Sequence, residues 1–196
     1  MGGIIAIFVS AVLIENIILS QFLGICPFLG VSKKTSSALG MGAALTFVVL
    51  MSSILSYVIN MFILAPLELE YLQLVVFILV IATFVQLVEF VTKKYLPALY
   101  KALGVYLPLI TTNCVVLNVA LSVTGITNGV FDYSFGTMIV YALSISIGYV
   151  FVIVLFSFIR TRLDSNGVPA PFHGNAIALI TAALMALAFA GFVGIV

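Results

Sequence analysis

The chain has 196 residues, 64% of them apolar and 7% charged, with a mean hydropathy of +1.39; a soluble domain carries about 45–50% apolar and about 25% charged residues. A water-soluble globule is excluded, and so is a nucleic-acid binder, because seven Lys and Arg against six Asp and Glu leave a net charge of only +1 and no basic surface for phosphates. Six membrane spans of about 20 residues would use most of the chain and leave no room for a catalytic domain outside the membrane.

The few charged residues divide the sequence into apolar tracts that predict spans over Ile4–Leu29, Ala38–Leu64, Tyr71–Phe90, Ala102–Val123, Phe135–Ile159 and Asn175–Val196. The first tract has no basic leader and runs on into further spans, so it reads as a span and not as a cleaved signal peptide. If the spans alternate, Lys33 and Lys34, then Lys93, Lys94 and Lys101, then Arg160 and Arg162 fall in loops on one side, while Glu68, Glu70 and Asp132 fall on the other. Positive residues stay inside, which predicts cytoplasmic Lys and Arg loops and outward-facing termini.

Three spans per half is an odd number, so duplicated halves, residues 1–97 and 98–196, would be inverted with respect to each other. The pattern suggesting duplication is a pair of interrupted spans. Gly24, Cys26, Pro27 and Gly30 interrupt the first, whereas Pro108, Thr111, Thr112, Asn113 and Cys114 interrupt the fourth. The two cysteines of the chain stand at these interruptions, 88 positions apart. Broken membrane helices are tolerated where protein, water or an ion meets the freed backbone groups.

Pro27 lacks an N–H and suits the first position of a helix, which places Cys26 near an N-cap, and Thr111, Thr112 and Asn113 offer caps for a helix starting near Cys114. Two helix starts approaching from opposite sides would turn N–H groups and positive dipole ends toward a negative group. A thiolate binds metal, yet a cysteine in a membrane is commonly a small buried hydrophobe, and a disulfide is a third reading. Two ligands do not complete a metal site. Cys26 lies 22 residues beyond Ile4, about 33 Å if helical throughout, so a break or tilt must shorten that path.

The segments FLGICPFLGVSKK (Phe22 to Lys34), LGVYLPLITTNC (Leu103 to Cys114) and VPAPFHGNAIALITAALMALAF (Val168 to Phe189) resemble the A-type membrane subunits of the Rnf ion-translocating electron transport complex. The E-type subunit of the sodium-translocating NADH:quinone reductase is the near neighbour of that family. The resemblance covers essentially the whole chain, and the doubled Thr before Asn113 and Cys114 favours the Rnf side. His173 stands where Arg is expected in many relatives.

The resemblance implies an all-helical six-span protein built as two inverted three-helix repeats, with the first and fourth helices broken, in a prokaryotic cell membrane. It also implies pairing with a paralogous membrane subunit, the E-type subunit of Rnf, beside the other Rnf subunits and membrane lipid. Cys26 and Cys114 would supply two of the four cysteines of a [2Fe–2S] cluster shared with that partner. The complex would pass electrons between ferredoxin and NAD and couple them to Na⁺ or H⁺ movement, with no complete active site in this chain. Burial of a net-negative cluster is costly unless fixed dipoles offset its charge, which four half-helix starts would do.

Among other polar groups, Glu15, beside Asn16 in the first span, is an ion-site candidate, since charge inside a span is functional by default; an interfacial carboxylate is the alternative. Glu89 and Lys93 are spaced for an i,i+4 pair. Tyr57, Tyr71 and Tyr133 suit interfacial anchors, and Ala182, Ala183, Ala186, Ala188, Ala190 and Gly191 suit close helix contact. Competing readings are an inverted-repeat secondary transporter of a small solute without metal, and a purely structural assembly component.

Overall fold

A computed structural model describes residues 8–9, 11–12, 16–32, 35–64, 72–95, 113–124, 135–165 and 174–191. Among the described residues there is no strand. The helices are α1 (Ile17–Ser20), α2 (Ile25–Val31), α3 (Thr35–Ile59, continued by a π-helical turn at Asn60–Leu64), α4 (Gln73–Tyr95), α5 (Cys114–Val123), α6 (Phe135–Ser165) and α7 (Asn175–Ala190).

Three stretches are long and apolar enough to cross a bilayer: Thr35–Ile63, Gln73–Val91 and Phe135–Leu163, of 29, 19 and 29 residues. They coincide with the second, third and fifth expected spans. α5 and α7 are apolar but shorter and lie within the fourth and sixth.

The first expected span differs most from its prediction. Of the residues expected to interrupt it, Gly24 does so as the left-handed N-cap of α2, whereas Pro27 and Gly30 lie inside that helix. Pro27 is the third helical residue, where an N–H has no intrahelical partner to lose. The chain has a further break, not expected, at Asn16, which caps α1, and the interruption at Gly24 begins at Phe22. A second correction concerns the fifth span. α6 continues to Ser165, so Arg160 and Arg162 are helical and not in a loop, and Arg162 stands in the last turn, where the helix dipole favours a basic residue. Lys93 and Lys94 likewise close α4.

The chain divides into two compact units, Met1–Ala43 with Ser144–Val196, and Ala44–Leu143. In the first, α7 packs on α1, with Ile17, Ile18 and Leu19 buried on one side and Ala178, Ala182 and Met185 on the other. Those α7 positions form one narrow stripe at helical spacing. Ala183, Ala188, Ala190 and Gly191 are exposed, so only part of the expected small-residue set serves packing within the chain.

Close backbone approach in this unit rests on two glycines. A Cβ at Gly42 would lie 2.8 Å from a Val150 methyl, and one at Gly148 would lie 3.2 Å from Asn16 Nδ2 and 3.3 Å from the Val12 backbone. Ser157 Oγ also donates to Thr35 Oγ1 at 3.3 Å.

In the second unit, α4 packs on α5. Phe77, Ile81 and Val85 of α4 are buried, as are Val115, Val116, Val119, Ala120 and Val123 of α5. Gln73, 3% exposed, donates to Asn60 Oδ1 at 3.3 Å, which ties the start of α4 to the π-helical turn. Tyr57, expected as an interfacial anchor, sets its ring 6.1 Å from that of Phe135; Tyr71 and Tyr133 lie outside the described residues.

Most large apolar side chains on the outer surface belong to the long helices: Leu79, Leu87 and Phe90 of α4, and Phe151 and Phe158 of α6, are all exposed. α4, which buries few apolar residues within its own chain and exposes the others, is suited to hydrocarbon, whereas α6 turns one apolar side outward and buries the other.

Candidate functional site

Both cysteines stand at helix starts, but the two starts are built differently. Cys26 is the second residue of α2, whose N-cap, Gly24, has φ 80° and contributes no side-chain cap. Such a left-handed backbone suits glycine. Two residues earlier Phe22 also has a positive φ of 54°, a conformation that costs a non-glycine residue about 1–2 kcal/mol. The strain is held by the turn that closes α1, where the N–H groups of Gln21 and Leu23 both donate to Ile17 O, at 3.3 and 3.2 Å.

Cys114 is the first residue of α5, and its cap is a side chain. Asn113 is extended, with φ −73° and ψ 120°, and its Oδ1 accepts the Val115 N–H at 3.1 Å. Its carbonyl accepts from Val116 and Leu117. The expectation that Asn113 starts a helix at Cys114 is therefore met; Thr111 and Thr112 lie outside the described residues.

Asn16 has the same geometry at the start of α1. It is extended (φ −63°, ψ 112°), its Oδ1 accepts the Ile18 N–H at 3.2 Å, and its carbonyl accepts from Leu19 and Ser20. The residue locally equivalent to Asn113 is thus Asn16, 97 positions earlier, and the residue locally equivalent to Cys114 is Ile17, not Cys26. An Asn directly before an apolar run is a capping signal, so sequence alone contained the means of finding this break.

Both thiols are free and exposed, which disposes of the disulfide and of the buried-hydrophobe readings. The expectation of a [2Fe–2S] cluster held by Cys26 and Cys114 is corrected as well. Among the described residues no group of three or more His, Cys, Asp or Glu side chains is gathered to hold a metal ion. Among those residues each thiol stands on the surface without a set of companion ligands, whereas such a centre is defined by four. Glu15 and His173 lie outside the described residues. Glu89 is half-buried on α4, with Lys93 exposed one turn on.

In the sequence, Arg160 serves only as a mark of orientation; in the structure it is 4% exposed, and its Nη1 donates to Leu29 O at 2.9 Å and to Ser32 Oγ at 2.8 Å. Nothing in local hydropathy distinguishes such an arginine from a loop residue.

Apolar helices of spanning length, wide apolar surfaces and buried polar caps at helix breaks define a multi-helix membrane protein. The family described as "Rnf-Nqr subunit, membrane protein" matches residues 4–196, and the chain belongs to that family. It is 55% identical over 190 residues to a Serratia proteamaculans protein named as the A subunit of the ion-translocating oxidoreductase complex, covering 97% of this chain and 96% of the relative. A Cronobacter sakazakii protein of the same name is 52% identical over 100% of this chain and 99% of its own. The A subunit of the Acetobacterium woodii Na⁺-translocating ferredoxin:NAD⁺ oxidoreductase complex is 53% identical, covering 97% of each chain.

Proposed function

We propose that this chain is a membrane component of a redox-driven ion translocase, a ferredoxin:NAD oxidoreductase complex of the Rnf type. In that complex it couples electron flow to Na⁺ or H⁺ movement. The observation that carries this reading is identity above one half, over nearly the whole length of both chains, with the corresponding membrane component of a complex so named. Iron–sulfur chemistry at the two cysteines forms no part of it.

The halves 1–97 and 98–196 are inverted three-span repeats, with the Lys and Arg residues cytoplasmic and the termini outside. Support comes from the recurring order of elements. An Asn-capped short helix, a long helix and a shorter one begin at Ile17, Thr35 and Gln73, with α2 added after the first of them, and again at Cys114, Phe135 and Asn175. This chain contributes two separate sets of site residues, Gly24, Cys26 and Pro27 at the start of α2, and Thr111, Thr112, Asn113 and Cys114 at or before the start of α5. Its exposed thiols face a paralogous membrane subunit resembling the E-type subunit of Rnf. Glu15, in the same broken span as Cys26, carries the ion or its proton, in keeping with the rarity of membrane carboxylates.

The test uses the complex in inverted membrane vesicles, with ferredoxin-driven NAD reduction and ion uptake measured together. Cys26→Ser and Cys114→Ser are expected to lower coupled turnover at least about tenfold, a loss of roughly 1.4 kcal/mol or more of barrier lowering, with the complex still assembled. Full turnover and full uptake in both variants would remove the thiols from the function. Solute uptake by the chain without any electron donor would replace the reading with a secondary transporter.

A further inference from the structure

α2 is a seven-residue helix, too short to hold itself together. Its start has no side-chain cap. Its other end is held from far along the chain. Leu29 belongs to its last turn and Ser32 is its C-cap, and these two residues accept the hydrogen bonds donated by Arg160 Nη1. The last carbonyls of a helix have no partner within it, and a cation beside them is also favoured by the dipole.

We infer that Arg160 is a positioning residue for Cys26: by fixing the C-terminal end of α2 from α6, it sets the place of the exposed thiol at the helix's second residue. The inference rests on the reading of Cys26 as part of the working site.

Three features make the guanidinium more than a surface charge with a convenient neighbour. Arg160 is buried, as is Ser32 at 0% exposure, so the bond between them is not made in competition with bulk water. One Nη atom serves both a backbone carbonyl and a hydroxyl, which fixes the end of α2 in direction as well as distance. Arg162, two residues on, is exposed, so burial is particular to Arg160 and is not a general property of the end of α6. Cys114 is held in a different way, by the local cap of Asn113, and gives an internal control.

The experiment compares Arg160→Gln, Arg160→Lys and Ser32→Ala with wild type in the assembled complex. Amide hydrogen exchange and ferredoxin-driven NAD reduction are measured at equal complex abundance. Arg160→Gln is expected to speed exchange across Ile25–Val31 by about tenfold or more through local opening, to leave Cys114–Val123 unchanged, and to lower turnover; Arg160→Lys restores most of both. Unchanged exchange in α2, an equal rise in both helices, or full turnover with a loosened α2 would each overturn the inference. Where Arg160→Gln does not assemble, Ser32→Ala, which removes one bond and keeps the charge, is judged by the same criteria. Full turnover in Cys26→Ser would instead refute the role of Cys26, whatever the exchange of α2 shows.

Discussion

Asn16 Nδ2 donates to the carbonyl oxygen of Gly148, 132 residues away, at 3.1 Å, and to Val12 O at the same distance. The same side chain accepts the Ile18 N–H through Oδ1. One amide thus starts α1 and ties it to α6, using acceptor and donor ends for different tasks. The missing Cβ of Gly148 allows the approach, because that atom would lie 3.2 Å from the amide nitrogen.

The two ends of that amide can be separated by substitution. Asn16→Asp keeps the cap acceptor but turns an oxygen toward two carbonyls, whereas Asn16→Ser keeps the cap and only loses the donor. Asn16→Asp is expected to be the more damaging, since Asn16→Ser forfeits hydrogen bonds worth about 0.5–1.5 kcal/mol each without adding a buried charge. Detergent-unfolding midpoints of the purified chain order the two, and equal midpoints would contradict the donor assignment.

Asn113 supplies the contrast. Its Nδ2 is buried with no hydrogen-bond partner among the described residues, although its Oδ1 caps α5. Asn113→Ser is therefore expected to cost no more than about 0.5 kcal/mol, because Ser is a comparable cap, while Asn113→Ala loses about 1 kcal/mol. A larger loss for Asn113→Ser than for Asn16→Ser, measured in the same unfolding assay, would count against this account.

At Gly42 the steric margin is smaller. An added Cβ falls 2.8 Å from a Val150 methyl, and a β-branched side chain has little rotamer freedom with which to retreat. Gly42→Ala should cost about 1–3 kcal/mol, as overpacking does. Adding Val150→Ala should recover at least about 0.5 kcal/mol beyond additivity, and strictly additive effects would show that the clash is relieved elsewhere.

Exposure of the two thiols makes a prediction about assembly. Cys26 and Cys114 are both exposed in the chain by itself, so a membrane-permeant maleimide should label both when the chain is produced without its partners. Under the proposed pairing with a paralogous membrane subunit, co-production of that subunit should slow both rates by about tenfold or more, as expected when an interface excludes a reagent. Undiminished labelling of either thiol would place it outside that interface.

Membrane class, the long spans and the cap at Asn113 were legible in the sequence because each depends on neighbours within a few residues. Hydropathy summed over a window reports the solvent a segment needs, and an Asn before an apolar run reports a helix start. The same local rules found the break at Gly24 but missed the earlier one at Asn16. Pro27 and Gly30 are strong punctuation in isolation, but Pro27 falls in a first turn, where it breaks nothing. They also paired Cys26 with Cys114, although the shared backbone geometry pairs Asn16 with Asn113.

Tertiary structure alone decided that Asn16 reaches Gly148, that Gly42 leaves room for Val150 and that Arg160 is buried against the end of α2. Each of these joins residues more than 100 positions apart, and no local period encodes which distant carbonyl a buried donor meets. The sequence by itself determined that the chain must satisfy its backbone within helices and turn apolar surface to lipid, since hydrocarbon offers no other partner for an N–H. Which polar groups hold the broken ends in place was left to packing, because a buried donor is settled only by the acceptor that folding brings to it.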